Sequence, residues 1–520
     1  MTVDVGRSEM AQSSGTDHKW WTLAAVCLGI FMLLIDITIV NVALPDIQRD
    51  LHSSFSDVQW VVDAYALTLA ATLLTAGSLA DLFGRRLLYV IGVSAFTVSS
   101  LLCGLATGPL FLELARGAQG IGGAIMFAVS LAILADAFRG RDRGIAFGAW
   151  GALAGLAVAS GPVIGGALTS GISWRWIFLV NVPVGVGVVA LTLTRVRESR
   201  DPRPRRPDWL GFVTFTAALA FLVFALIKSS ERGFTDPLVL GCFAAAAVLV
   251  VAFLVLEALI TNPMLELALF RKPTFSGGLV AALGISATGF SMLLYLTLYL
   301  QDVLGYSAVG TGVRLLTISG AILVCAAIAG RLSAHVPVRL LIGPGLLLVG
   351  VGLLLMRGLN ASSQWTHLVP GLVLTGVGAG MLNPPLASTA VGVVPPHQAG
   401  MASGINSTFR QIGIATGIAL LGSLFASRVR EVIAGDLARV PGLGSQAARI
   451  GHALTNGQLG KTLAKLPPGQ RAPVAAAARA SFTTGLDRIL LVAAVMALVS
   501  GVLTLLLIRG RDFVSSDYAS

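Results

Sequence analysis

Asp36 is the one carboxylate in a long apolar run, WWTLAAVCLGIFMLLIDITIVNVA at Trp20–Ala43. Burying that charge in hydrocarbon costs about 2.5–3.5 kcal/mol on insertion scales. Such a residue needs a counter-charge, a wet cavity or a bound proton beside it. Asp63, Glu113 and Arg116 occur in the next apolar runs, and Arg314 in a later one. At 1.5 Å per residue, Asp36, Asp63, Arg116 and Arg314 lie about 9–10 Å from one end of their helices, and Glu113 about 6 Å. These groups fall in one layer, which a shared polar cavity would explain. A carboxylate there can hold a proton or pair with a cation, but not both. That exclusion is the physical basis of antiport. Each acid can instead belong to a structural salt bridge, and Arg116 lies one turn from Glu113 on the same face.

Two further patterns carry chemistry. GSLADLFGRR, Gly77–Arg86, joins two apolar runs. Gly77 and Gly84 permit a tight turn and close helix approach. Asp81 with Arg85 and Arg86 can form charge-assisted bonds that hold a gate closed and must break when it opens. GPVIGG carries Gly161, Pro162, Gly165 and Gly166. Its glycines admit a neighbouring helix, and its proline interrupts the hydrogen-bond ladder and can kink the helix. Phe290, Met292, Tyr295 and Tyr299 could line a pocket for an amphiphilic compound, or could simply pack. Arg410 lies toward one end of its helix, where its side chain could snorkel to the surface.

The elements that must position these residues are membrane helices. The chain has 520 residues, 55% hydrophobic and 12% charged. Soluble domains carry about 25% charged residues. Fourteen segments reach the length a spanning helix needs: roughly 20–43, 57–79, 87–106, 109–136, 144–168, 177–195, 209–227, 237–260, 275–300, 308–332, 338–356, 367–394, 403–427 and 486–508. The fold class expected is an all-α integral membrane protein in a six, two, six arrangement. Residues 1–19 form a tail and 20–195 a first six-helix bundle. Residues 196–274 hold a basic, proline-rich linker and two inserted helices. Residues 275–510 form a second bundle with a long loop at 428–484, and 511–520 a second tail. Within that loop, Ile450, Leu454, Leu459, Leu463 and Leu466 have loosely helical spacing, which fits a short hairpin or an interfacial helix, with a disordered loop as the equal alternative. With both termini in the cytoplasm, nineteen basic residues fall in short inner segments and five in short outer loops, the bias of the positive-inside rule.

The net charge of +11 comes from 31 Arg and 5 Lys against 25 acids. No stacked aromatic and basic module of a nucleic-acid binder accompanies it, so no nucleic-acid partner is expected. Cys27, Cys103, Cys242 and Cys325 lie in apolar runs without metal-ligand spacing. No phosphate-binding glycine loop is present, and no repeated selectivity filter of a channel.

Taken together, the motifs resemble the major facilitator superfamily, in particular its fourteen-helix drug:proton antiporter branch. LIDITIVNVALP, Leu34–Pro45, resembles the helix-one motif of that branch. WVVDAYALTLA, Trp60–Ala70, is similar to its exporters of quaternary ammonium compounds. GSLADLFGRR resembles the gate loop, RGAQGIGG the helix-four motif with its proton-linked arginine, here Arg116, and GPVIGG the antiporter signature. SWRWIFLVNVP, Ser173–Pro183, and YLQDVLGYS, Tyr299–Ser307, resemble the branch as well.

The resemblance implies a twelve-helix core with two inserted helices, and proton-coupled export from the bacterial plasma membrane. It assigns Asp36, Asp63 and Arg116 to coupling or cation recognition. The substrate expected is a small amphiphilic, cationic compound, and the other partners are protons and membrane lipids. The proton gradient is the energy source, with no cofactor, no enzymatic step and a monomeric state. Export of one natural product or lipid of the host is the alternative, and passive facilitation a further one. GRLSAHVPVR, Gly330–Arg339, departs from the gate pattern, with His335 and Val336 where charges would stand.

Overall fold

The computed structural model describes residues 4–53, 55–200, 208–260, 265–333, 335–360, 363–395, 398–438, 450, 463 and 466–513. Every expected apolar segment lies on helix. The helices are α1 (Asp4–Asp50), α2 (Phe55–Phe83), α3 (Arg85–Gly104), α4 (Pro109–Ala137), α5 (Gly140–Gly171), α6 (Trp176–Leu179) and α7 (Asn181–Arg195). They continue with α8 (Trp209–Arg232), α9 (Pro237–Leu259), α10 (Pro273–Ile285), α11 (Ser291–Leu298), α12 (Ala308–Leu332), α13 (Arg339–Leu355), α14 (Val369–Gly392), α15 (Ala399–Ala438) and α16 (Pro468–Leu507). Helical backbone satisfies its own hydrogen bonds, as a lipid environment demands. Among the described residues, twelve helical stretches are long and apolar enough to cross a membrane. The glycine-rich α5 and the 17-residue α13 are the two expected segments outside that set.

The packing repeats itself. In the first half α1 packs on α5 and α7, α2 on α4, and α3 on α4 and α7. In the second half α10 packs on α15 and α16, α12 on α14, and α13 on α14 and α16. Substituting α10, α12, α13, α14, α15 and α16 for α1, α2, α3, α4, α5 and α7 converts one set into the other. Each half has its own apolar core, around Ile30, Leu33, Phe96 and Phe147 in the first and Leu346, Leu382, Leu421 and Leu490 in the second.

The halves meet along two seams related by the same exchange, α2 with α15 and α5 with α12. Both seams are built on glycine. A Cβ on Gly77 would stand 2.3 Å from the Gly400 carbonyl oxygen, and one on Gly144 2.1 Å from that of Gly330. The inserted pair is asymmetric. Helix α8 leans on α2 and α15, through a 2.9 Å contact between the Thr75 and Thr216 hydroxyls and through Trp60 against Phe224. Helix α9 buries only Val239, Ala246, Phe253 and Glu257, and most of its surface is exposed.

The structure departs from the sequence reading in three places. The segment expected as one helix at 275–300 is interrupted by two π turns, Ser286–Phe290 and Tyr299–Val303. Gly413 and Gly417 of α15 press on the carbonyls of Leu283 and Ala287 beside the first of these. Helix α1 begins at Asp4, within the expected tail, and runs 47 residues. Lastly, α15 continues to Ala438 and α16 starts at Pro468, so much of 428–484 is helix. Ile433, Leu437, Ile450, Leu466, Val474 and Ala478 form one buried apolar cluster there. Leu454 and Leu459 lie outside the described residues.

Candidate functional site

The buried acid of α1 finds its counter-charge on α4. Arg116 Nη1 donates to Asp36 Oδ2 at 2.5 Å, and the two side chains are 1% and 0% exposed. Helix α4 starts at Pro109, whose fixed φ suits a first turn. Two turns on, it presents Arg116 and Gln119 on one face. Arg116 Nε donates to the Val61 carbonyl at 3.0 Å, and Nη1 also to Gln119 Oε1 at 2.8 Å. Gln119 Nε2 donates to Asp36 Oδ1 at 3.0 Å, and Asn181 Nδ2 to the same oxygen at 3.1 Å. Ser100 Oγ accepts from both amides. The Tyr65 ring lies 4.2 Å from the guanidinium carbon. One carboxylate is thereby held by α1, α2, α3, α4 and α7 together.

The antiporter-type glycines lie against this part of α1. A Cβ on Gly161 would overlap Thr38 Oγ1, and one on Gly165 would come within 2.8 Å of Ile39 Cγ1. Gly166 points to the other half, where Val309 of α12 would be 3.6 Å from its Cβ. Helix α5 runs unbroken through Pro162, whose side chain lies outside the described residues.

The Gly77–Arg86 loop, the expected gate, forms a second constellation. Asp81 Oδ1 accepts from Arg85 Nε at 3.0 Å and Nη2 at 2.8 Å. The same carboxylate accepts from the backbone N–H of Gly400 at 3.1 Å and Met401 at 2.9 Å. Those N–H groups open α15, so the acid of one half sits on the positive end of a helix from the other. Arg86 has a different role from the one expected. Its guanidinium donates to the Val196 carbonyl at 3.3 Å and stands 4.0 Å from Glu198. Gly84 has φ 111°, where a side chain is strained. Immediately after it, the backbone N–H groups of Arg86 and Leu87 donate to Glu198 at 3.0 and 3.1 Å. Glu198 of the linker therefore caps α3. Glu198→Ala should lower the melting temperature of the detergent-solubilised protein, by the roughly 0.5–2 kcal/mol of a lost cap. An unchanged melting curve would remove Glu198 from this account.

Of the five ionisable groups expected in one layer, the structure joins two. Arg116 forms its ion pair with Asp36 across helices, rather than the intrahelical pair with Glu113 that the spacing offered as the alternative. Arg314 donates to its own helix at the Gly310 carbonyl and stacks 3.5 Å over Tyr306 and 5.3 Å from Trp365. Asp63 and Glu113 are half-buried on α2 and α4. Met292, Tyr295 and Tyr299 belong to the core of the second half. Tyr295 lies 5.3 Å from Phe425, and Tyr299 6.4 Å from Phe482. The Phe290 side chain is outside the described residues. Arg410 does not snorkel; it is 8% exposed and held between α14 and α15. At the end of α1 away from the gate loop, Asp50 accepts from Arg175 at 2.6 Å and Trp174 at 3.0 Å. Those bonds hold its carboxyl below the usual range.

Sequence reasoning missed Gln119, Asn181, Ser100 and Glu198. Gln119 and Asn181 stand inside motifs already singled out, and each is a hydrogen-bonding amide in an apolar stretch. That is the signal that could have found them.

Comparison with known proteins agrees with this architecture. Residues 26–418 match the family model of the Major Facilitator Superfamily. The multidrug resistance protein Stp of Mycobacterium tuberculosis is 38% identical over 419 residues, covering 80% of this chain and 78% of that protein. The tetracenomycin C resistance and export protein of Streptomyces glaucescens is 34% identical over 492 residues, covering 94% and 91%. The puromycin resistance protein of Streptomyces alboniger is 36% identical over 423 residues, covering 80% and 84%. In fold, the chain is similar to the crystal structure of the human organic anion transporter MFSD10, with a TM-score of 0.59 at 15% identity, covering 92% of this chain and 99% of that one. Two repeated helical halves, a glycine-built seam on either side and a match over most of the length lead to one assignment: this multi-pass membrane protein belongs to the Major Facilitator Superfamily, and is a transporter rather than an enzyme.

Proposed function

We propose that this protein is a proton-coupled antiporter that exports amphiphilic compounds across the bacterial plasma membrane by alternating access. Fourteen crossings put both termini in the cytoplasm, where the basic loops gather. The observation that carries the reading is the enclosed network around Asp36. Both carboxylate oxygens are engaged, and Arg116 balances the charge. A proton reaching Asp36 removes the charge that Arg116 offsets and loosens a contact made by five helices. Gly161 and Gly165 bring α5 against Thr38 and Ile39, within one turn of that acid, so a shift of α1 is passed to the α5–α12 seam. Asp81 on the first turn of α15 closes the cytoplasmic side meanwhile.

In this scheme Asp36, Arg116, Gln119 and Asn181 couple, while Asp63 and Glu113 supply negative charge to a cationic part of the cargo. The names of the relatives, which speak of multidrug resistance, of puromycin resistance and of tetracenomycin C export, support drug export. An endogenous natural product as sole cargo is the second reading, supported by another relative, a probable actinorhodin transporter of Streptomyces coelicolor.

The test is proton flux in everted vesicles. Adding ethidium or puromycin should drive protons out of acid-loaded vesicles that contain the protein, and a collapsed gradient should stop uptake of either compound. Counterflow that persists without a gradient, with no accompanying proton movement, would make the protein a facilitator instead.

A further inference from the structure

A third buried arginine lies outside both the coupling network and the Asp81–Arg85 pair, and its surroundings are the reverse of those of Arg116. Arg410 of α15 is 8% exposed. Its Nη1 donates to Asn383 Oδ1 of α14 at 3.1 Å, and its Nε to Asn406 Oδ1, one turn back, at 3.3 Å. Both partners are neutral amides. No ion pair with a carboxylate is formed by Arg410 among the described residues, whereas Arg116 has Asp36. Arg410 Nη2 is buried without an acceptor, and so is the amide nitrogen Nδ2 of Asn406. The hydroxyls of Ser407 and Thr408 in the same turn are likewise buried without a partner.

The arrangement is built rather than incidental. Asn383 Nδ2 donates to the Ala379 carbonyl at 3.0 Å, which turns its oxygen toward the guanidinium. Asn383 also borders the first half, since a Cβ on Gly151 of α5 would lie 3.8 Å from its own Cβ. Asn406 lines a cleft between α10, α14 and α15, together with Thr274, Gly278, Thr389 and Ala402. A guanidinium offers five N–H donors and no acceptor. A buried cation with unused donors and no counter-charge is costly unless an anion comes to it. The orphaned nitrogens here are both donors, so the group they suit is an acceptor.

We propose that Arg410, oriented by Asn383 and Asn406, is an anion-recognition site for an acidic group of the carried compound, so that the cargo class includes amphiphiles bearing a carboxylate, sulfonate or acidic phenol. This rests on the export reading and extends its cargo class to compounds with an acidic group. Asn383 borders α5 of the other half, so separation of the halves would unsettle the pair that holds the anion and favour its release.

The experiment uses two dyes that share one aromatic frame, 8-anilino-1-naphthalenesulfonate and uncharged N-phenyl-1-naphthylamine, with binding measured on the purified full chain. Arg410→Gln should weaken saturable binding of the sulfonate by about tenfold or more, the usual cost of losing one partner of a buried charge pair. It should leave the uncharged dye unchanged. Arg410→Lys, which keeps the charge and loses the fork, should recover part of the affinity. Chloride in place of the dye should compete only weakly if the aromatic body contributes, and full protection by chloride alone would reduce the site to an inorganic anion site and overturn the cargo assignment. Equal loss for both dyes would overturn it too, as would no preference for the sulfonate in the wild type. Because the readout is binding, a protein that binds the sulfonate through Arg410 yet moves no protons would sink the antiport reading alone.

Discussion

Asp36→Asn should abolish proton-driven efflux while the chain still inserts in the membrane. Asparagine keeps the shape of a protonated aspartate and cannot exchange the proton. Under the proposed antiport, in which cargo and proton exclude one another, cargo affinity should rise with pH, by up to about tenfold per unit while one proton is displaced. In Asp36→Asn that slope should flatten, and cargo addition should release no protons from the purified protein. The stability side is equally specific. Arg116 is 1% exposed, and removing one member of a buried pair costs about 3–5 kcal/mol. Arg116→Gln should therefore melt well below the wild type, since it leaves Asp36 with amide donors and no balancing charge. Asp36→Asn with Arg116→Gln should recover most of that loss, because two neutral amides can satisfy one another. The non-additivity measures the pair. Transport should stay absent in all three. Wild-type efflux with an intact pH slope in Asp36→Asn would end the coupling assignment.

Why that pair was partly legible in the sequence, and the rest of the site was not, follows from helix geometry. Depth is a linear function of residue number, so Asp36 and Arg116 could be placed at one level from the sequence. Azimuth is not. The same count put Arg314 in that layer, yet packing turns it onto Tyr306 and Trp365. Tyr295 and Tyr299 likewise have pocket-like chemistry and core positions, in a segment whose two π turns break the regular 3.6-residue count on which facing is read. Local motifs were legible where one turn contains both partners, as in Asp81 and Arg85. Glu198 was not, since its targets on α3 lie more than a hundred residues earlier. The seams were legible only as glycine content. That Gly77 serves Gly400, and Gly144 serves Gly330, depends on how the halves dock.

That docking makes the second large effect a steric one, expected of Gly77→Val. Its Cβ would lie 2.3 Å from the Gly400 oxygen, 3.1 Å from its carbonyl carbon and 3.2 Å from Gly404 Cα. All three are backbone atoms, which cannot rotate aside as a side chain would. Overpacking of this kind costs about 1–3 kcal/mol, and more where nothing yields. The cost falls on the state in which α2 and α15 touch and is absent once they part. Each 1.4 kcal/mol shifts a two-state population about tenfold, so the variant should rest with its gate-loop side open and transport should fall at least about tenfold. Ser403 reports the change directly. It is fully buried at the seam, with its hydroxyl on the Ala128 carbonyl at 2.5 Å. In a background with the four native cysteines replaced, Ser403→Cys should resist a membrane-impermeant maleimide and become reactive when Gly77→Val is added. Gly108→Val is the control, since a Cβ there meets nothing within 4 Å, and it should leave both labelling and transport unchanged. Equal protection of the cysteine with and without the valine would mean that the α2–α15 seam is not the moving part.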